Sequence, residues 1–239
     1  MNMMRFCVVS AMIIMLFAAA SVLHAADWRW ELSDSAYKQL TIFERAQYDK
    51  AADLFRQANY KSAASEFEKF KIQFPDSTAL SYVLFMRGLS LHRGKYRNEA
   101  IKVYNEVLDY FGDHIEDASA ALYYLGIAHI ENGDIRKGME AMEEMADDED
   151  YQKHPLAAGA IRRLGDNYFK NKEYKLAIKY WKQVVRNFQQ SNDYETSIAR
   201  SNVIGYYIRN RNYTAIDNWM VNAENRDNTV YRRWVADRI

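Results

Sequence analysis

Cysteine is almost missing: Cys7 is the only one in 239 residues. That excludes a disulfide framework, a thiolate metal site and, past the first few residues, a cysteine nucleophile. Proline occurs twice, at Pro75 and Pro155, and glycine nine times. A sandwich or barrel needs a turn signal every ~8–12 residues, so breakers this sparse exclude both. Collagen-like and low-complexity classes go with them. An excess of one charge is missing too, since Lys plus Arg equals Asp plus Glu at 32 each. Overall charge therefore recommends neither nucleic acid nor a membrane as partner. What the chain does have is core material: 49% hydrophobic residues against 27% charged ones, a balance that favours packing over disorder.

The first 25 residues differ from the rest. Arg5 is followed by an uncharged stretch from Phe6 to Leu23 and a small-residue end at Ala25. A basic start, an apolar run and small residues at the close form the pattern of a secretory signal peptide, with cleavage expected after Ala25. The same 18 residues are barely enough to span a bilayer as a retained anchor. The expectation is export without a membrane span after cleavage. Cys7 lies inside the apolar run, where it is badly placed to be a lipidated first residue.

Internal repetition dominates the remainder of the chain. Ala51, Ala63, Phe67 and Phe70 align with Gly88, Ala100, Tyr104 and Val107, then with Gly126, Gly138, Met142 and Met145, then with Gly165, Ala177, Trp181 and Val184. In each set the two small residues are twelve apart, and bulky residues come after the second at plus four and plus seven. A fifth copy, Gly205, Ala215, Trp219 and Asn222, is two residues shorter across its turn. The second small positions recur at intervals of 37, 38, 39 and 38 residues.

This spacing predicts two antiparallel helices per unit, brought close by the small residues, with bulky side chains at plus four filling the adjacent groove. Turn signals fall between the helices at Ala58-Asn59-Tyr60, Arg93-Gly94-Lys95-Tyr96, Asn132-Gly133-Asp134-Ile135 and Asn171-Lys172-Glu173-Tyr174. Thr41-Ile42-Phe43-Glu44 fits a capping box at the first helix start. The expected fold is all-α, a right-handed superhelical solenoid of five hairpins over 41–75, 78–112, 116–150, 155–190 and 193–222. Residues 26–40 form a lead-in and 223–239 a capping segment, since a solenoid must hide its open apolar ends.

Leu125-Gly126 and Leu164-Gly165, each with a small residue twelve on and a bulky one four later, resemble the tetratricopeptide repeat, as does Phe74-Pro75-Asp76-Ser77 closing a unit. The resemblance runs from about Thr41 to Asn222. The phrase from Ala58 to Ser77 is similar to Gram-negative envelope members of that superfamily. One is the D-subunit lipoprotein of the outer-membrane β-barrel assembly machinery (BamD-like), and the other is the Tol–Pal-associated periplasmic protein (YbgF-like). The lipidated cysteine of the first and the N-terminal coiled coil of the second are not matched. The resemblance implies a non-catalytic scaffold in the periplasm or on the periplasmic face of the outer membrane. Outer-membrane protein assembly is the first role it implies; coordination of envelope constriction, or a self-stacking oligomer, is the alternative.

Residues able to carry chemistry are few. His92, His114, His129 and His154 form no His-Glu-x-x-His pair, and no Gly-x-Ser-x-Gly elbow, phosphate loop or dinucleotide fingerprint occurs. Asp113-His114-Ile115-Glu116-Asp117 reads as a polar link between hairpins before it reads as a metal loop. No catalytic residue, metal or cofactor is expected.

A binding groove is the better candidate. Offsets of −3, +1 and +4 from the small residue of each first helix point inward and select Tyr48, Phe55, Phe85, His92, Tyr123, Arg162, Asp166, Phe169, Tyr206 and Arg209. Rings supply contact area at small entropic cost, and guanidinium groups grip carboxylates or carbonyls. The expected partner is a protein or peptide of the envelope, with a second copy stacking on a solenoid end as the alternative, and no nucleic acid. Charge is also segregated: residues 113–150 hold two basic and twelve acidic residues, and residues 151–239 hold sixteen basic and eight acidic. The second block includes Arg209, Arg211, Arg226, Arg232, Arg233 and Arg238. Such polarity steers a charged partner and is screened by salt.

Overall fold

The computed structural model describes residues 32–188, 191 and 193–220. The expected leader, most of the lead-in and the C-terminal capping segment lie outside the described residues. Within them the chain forms eleven α-helices and no strand. A short helix α1 (Asp34–Gln39) precedes five hairpins: α2 (Ile42–Arg56) with α3 (Tyr60–Gln73), α4 (Leu80–Arg93) with α5 (Arg97–Phe111), and α6 (Ile115–Glu131) with α7 (Ile135–Asp147). After a 3₁₀ turn at Tyr151–Lys153 come α8 (Ala157–Lys170) with α9 (Tyr174–Phe188), and α10 (Asp193–Arg209) with α11 (Tyr213–Met220). This is the all-α solenoid expected.

The helix starts obey local chemistry. Ser33 caps α1 by accepting from the Ala36 N–H. Thr41 and Glu44 close a reciprocal capping box at α2, the Glu44 N–H reaching Thr41 Oγ1 at 3.3 Å and the Thr41 N–H reaching Glu44 Oε2 at 2.7 Å. Asp134 caps α7 by accepting from the Lys137 N–H.

All five hairpin turns share one backbone device. Ala58, Lys95, Gly133, Lys172 and Arg211 take positive φ, between 54° and 90°. At each, two hydrogen bonds run back into the preceding helix: Ala58 N–H to Phe55 O and Asn59 N–H to Leu54 O in the first, Lys172 N–H to Phe169 O and Glu173 N–H to Tyr168 O in the fourth. This is the Schellman motif, which satisfies carbonyls left over at a helix end. Only the third turn uses glycine. In the second, Gly94 keeps right-handed geometry and Lys95 makes the turn instead.

Packing explains the repeat. A Cβ added at Gly88 would lie 2.7 Å from Tyr104, and one at Gly165 would lie 2.5 Å from Trp181. In the second and fourth hairpins the small residue of the first helix is therefore the floor on which the bulky plus-four side chain of the second rests. In the third hairpin both small positions are glycine, and the helix backbones themselves touch: a Cβ on Gly126 would come 3.1 Å from Gly138 O, and one on Gly138 would come 2.7 Å from Gly126 O.

From α2 onward each helix packs on the next along the chain, and α4, α6, α8 and α10 also pack in sequence on one another. The first helices thus form an inner row, and the second helices stand behind them. Among the described residues no helix is long and apolar enough to cross a membrane.

Candidate functional site

The inner row divides into two halves of different character. In the first half the expected groove residues are core. Tyr48, Phe55, His92 and Tyr123 are buried, and Phe85 is fully enclosed. Their rings build a ladder across hairpin boundaries: Tyr37 to Tyr48 at 6.0 Å, Tyr48 to Tyr82 at 6.4 Å, Tyr82 to Phe85 at 6.4 Å, Phe85 to Tyr124 at 5.9 Å and Tyr124 to Tyr123 at 5.2 Å. Aromatic pairs at such separations add about 0.5–1.5 kcal/mol beyond their burial. The offset that points inward in one hairpin therefore points into the next hairpin once the stack forms. Phe55 packs on Tyr60 just past its own turn, with the Arg93 guanidinium 5.5 Å above its ring.

His92 sits between the edges of Tyr104 and Tyr124. Its Nε2 lies 3.4 Å from Glu131 Oε2, and the same carboxylate accepts from Arg97 Nε at 2.8 Å. Burial lowers the His92 pKa, and Glu131 only partly opposes this. Burial also raises Tyr124, to about 12. These groups join hairpins two and three; they are not poised for proton transfer to a ligand.

The second half carries charge. On α8, Arg162 donates from Nε to Glu195 of α10 and from its terminal nitrogen to Asp166 one turn along. Asp166 Oδ1 accepts in addition from Trp181 Nε1 at 3.0 Å and from Asn202 Nδ2 at 3.1 Å. Burial works against the charge on Arg162, but Glu195 and Asp166 more than offset it, so its pKa rises. Glu195 is only 4% exposed. The Arg162–Asp166 pair is thus a structural clamp between α8, α9 and α10, and its guanidinium is already spent on carboxylates of its own chain. Beside it, Arg163 lies 5.7 Å from the Tyr123 ring and donates to Gly159 O.

What remains open lies at the end of this half. Phe169, Tyr206 and Tyr207 are half-buried, while Tyr174 and Arg209 are exposed. Tyr174 and Tyr206 rings are 5.3 Å apart, Phe169 touches both, and the Arg209 guanidinium stands 5.4 Å over Phe169. Of the ten residues expected to line the groove, Phe169, Tyr206 and Arg209 converge on this accessible patch, and Tyr174 joins them from the far side of the turn.

Three features escaped the sequence. Arg163 and Glu195 had no motif: Glu195 lies in the first turn of α10, where the repeat pattern carries no information. The third is a cleft of about 160 Å³ where α1, the start of α4 and the start of α6 meet. There Ser81 Oγ donates to Asp117 Oδ2 at 2.5 Å and lies 3.0 Å from His114 Nδ1. The hydroxyl's one proton goes to the carboxylate, so the histidine is a donor toward Ser81 and does not activate it; a catalytic triad needs the reverse order. Among the described residues no group of three His, Cys, Asp or Glu is arranged to hold a metal.

Comparison with known proteins agrees with this geometry. Residues 160–191, most of the α8–α9 hairpin, match the tetratricopeptide repeat family. Among solved structures the chain is similar to a Podosopora anserina protein with nearly identical TPR-like repeats, described as a kinesin light chain. They share 13% identity at a TM-score of 0.53, over 78% of this chain and 93% of that one. A single-substitution form of the same protein gives 0.54 at the same identity and coverage. At such identity the likeness is one of fold. No curated protein matches.

Proposed function

We propose that this protein is a non-catalytic scaffold that holds a partner polypeptide on its inner helix row, at the patch formed by Phe169, Tyr174, Tyr206 and Arg209. The patch itself carries the reading. Here half-buried and exposed rings of the inner row lie together with a cation presented over one of them, and aromatic and arginine anchors dominate protein binding. A repeat fold supplies what such a site needs, since helices locked by their neighbours present it rigidly and little order is lost on binding.

The partner is an extended or helical segment of another envelope protein. The basic start, apolar run and small-residue end of the first 25 residues support export to the periplasm. The resemblance of the Ala58–Ser77 phrase supports a place in outer-membrane protein assembly. In-cell photo-crosslinking tests both parts. A crosslinker at Tyr206 or Arg209 is expected to capture a partner, and Arg209→Glu to reduce capture at least tenfold, while a crosslinker at Lys179 on the outer helix α9 captures none. Equal capture from both faces, or recovery of the protein from the cytosol with residues 1–25 intact, overturns the proposal.

A further inference from the structure

We infer that the partner segment held at the Phe169 patch is acidic, an extended stretch whose carboxylates answer the cations of the last two hairpin turns. The inference rests on the patch proposed above and names the class of its ligand. Four exposed cations frame the rings there: Lys170 and Lys172 at the α8–α9 turn, Arg209 and Arg211 at the α10–α11 turn. Among the described residues none of these four forms an ion pair. The two turns are neighbours, since the ring of Tyr174, just past the first, lies 5.3 Å from that of Tyr206, just before the second. Over 167–188 and 204–216, the stretches that carry both turns, the chain has eight basic residues and one acidic residue, Glu173.

An earlier boundary shows what these turns lack. Between the second and third hairpins Arg97 donates from Nε to Glu131 at 2.8 Å, so a cation beside one turn is neutralised by a carboxylate beside the next. Glu131 stands five residues after Gly126; the same register holds Lys170 after Gly165 and Asn210 after Gly205. The carboxylate of the third hairpin is thus replaced by a further cation and a neutral amide, and like charges gather around the rings. Such crowding repels itself, and a carboxylate brought by a partner relieves it while cationic segments are turned away. Lys172 and Arg211 hold the same left-handed position in consecutive turns, and neighbouring helices stand ~8–10 Å apart. Three residues of an extended, polyproline-type segment cover ~9 Å and bring every third side chain to one face. One carboxylate therefore meets Lys172 and the next meets Arg211, with apolar side chains beside them for the rings. Phe169 is half-buried among the rings of Tyr174, Trp181 and Tyr206, a recess that suits a side chain and not a flat lipid surface.

Fluorescence anisotropy of the full chain with a labelled synthetic peptide reads this directly. The probe carries aspartate at every third position with phenylalanine and proline between; its control has asparagine in place of each aspartate. The aspartate peptide is expected to bind about tenfold more tightly than the control at low salt, with the gap closing in ~0.5 M salt as the screening length shrinks. Lys172→Gln with Arg211→Gln is expected to weaken the aspartate peptide about tenfold and to leave the asparagine peptide unchanged. Both positions are exposed, and helical circular dichroism checks the fold. Phe169→Ala is the second variant and is expected to weaken both peptides. Equal binding of the two peptides, or full binding by the double variant, overturns the acidic partner, while a loss of both peptides in Phe169→Ala keeps the patch itself. Binding of neither peptide overturns the acidic partner as well, and capture at Tyr206 in cells then judges the patch separately. Phosphatidylglycerol vesicles that bind the parent but not the double variant, where the peptide binds neither, would make the ligand a lipid surface and also overturn the inference.

Discussion

At the scale of single residues, the small positions and the buried histidine have the sharpest consequences. A Cβ at Gly165 already collides with the Trp181 ring, so Gly165→Leu is expected to cost at least the 1–3 kcal/mol of an overpacked core. That corresponds to a fall in melting temperature of several degrees in a protein of this size, measurable by differential scanning calorimetry. His92 sets a pH dependence. Its folded pKa lies below its unfolded value of about 6.5, so the unfolded chain binds the extra proton. Stability is then fully present above pH ~7 and is lost as pH falls through 6.5 toward the folded value. His129 is shifted the same way by burial, so comparison with a His92→Gln variant isolates the His92 share. Between pH 7.5 and 5.0 the variant's melting temperature should fall less than the parent's. Equal falls would remove His92 from the account. The glycine contacts were legible in the sequence, because a twelve-residue spacing capped by a bulky side chain has one simple packing solution. The fate of Arg162 was not, because the carboxylate that neutralises it arrives from a neighbouring hairpin at a position the repeat leaves free.

At the scale of elements, the hairpin turn is the recurring part. Its left-handed residue costs a side chain about 1–2 kcal/mol relative to right-handed geometry, and glycine nothing. Gly133 has φ +90° and nothing within 4 Å of an added Cβ, so Gly133→Ala tests the backbone alone and is expected to destabilise by about 1 kcal/mol in urea unfolding. Lys172→Gly, at φ 66°, is expected to be neutral or to stabilise by up to ~1 kcal/mol, the gain being offset by the freedom glycine brings to the unfolded chain. A loss of stability on Lys172→Gly would mean that its side chain, not its backbone, holds the turn. The sequence marked four of these turns through their polar residues, without saying that in the second Lys95 rather than Gly94 does the bending. Glycine is a permissive residue, not an obligatory one, and the hydrogen bonds back to the preceding helix decide which position carries the positive φ.

At the scale of the whole molecule, order and class of the elements were legible and accessibility was not. Periodicity told which side chains leave a helix on the inner side. It did not tell that Tyr48, Phe85 and Tyr123 would be covered by the next hairpin, because cover is a property of the assembled stack and not of any one unit. The same assembly explains the expected crosslinking pattern: the ladder is already consumed by internal contacts, so capture should concentrate at Tyr206 and Arg209. The ladder also runs alongside a change of chemistry, from rings in the first three hairpins to the Arg162, Asp166 and Glu195 clamp in the last two. Because every module is closed by the same turn and handed on through the same row of first helices, length becomes a free variable. An in-frame duplication of one module would extend the inner surface by roughly one helix-pair step, about 10 Å, while the existing junctions kept their shape. Such a molecule can be re-gauged to a longer or shorter client by counting modules, with no redesign of any single joint.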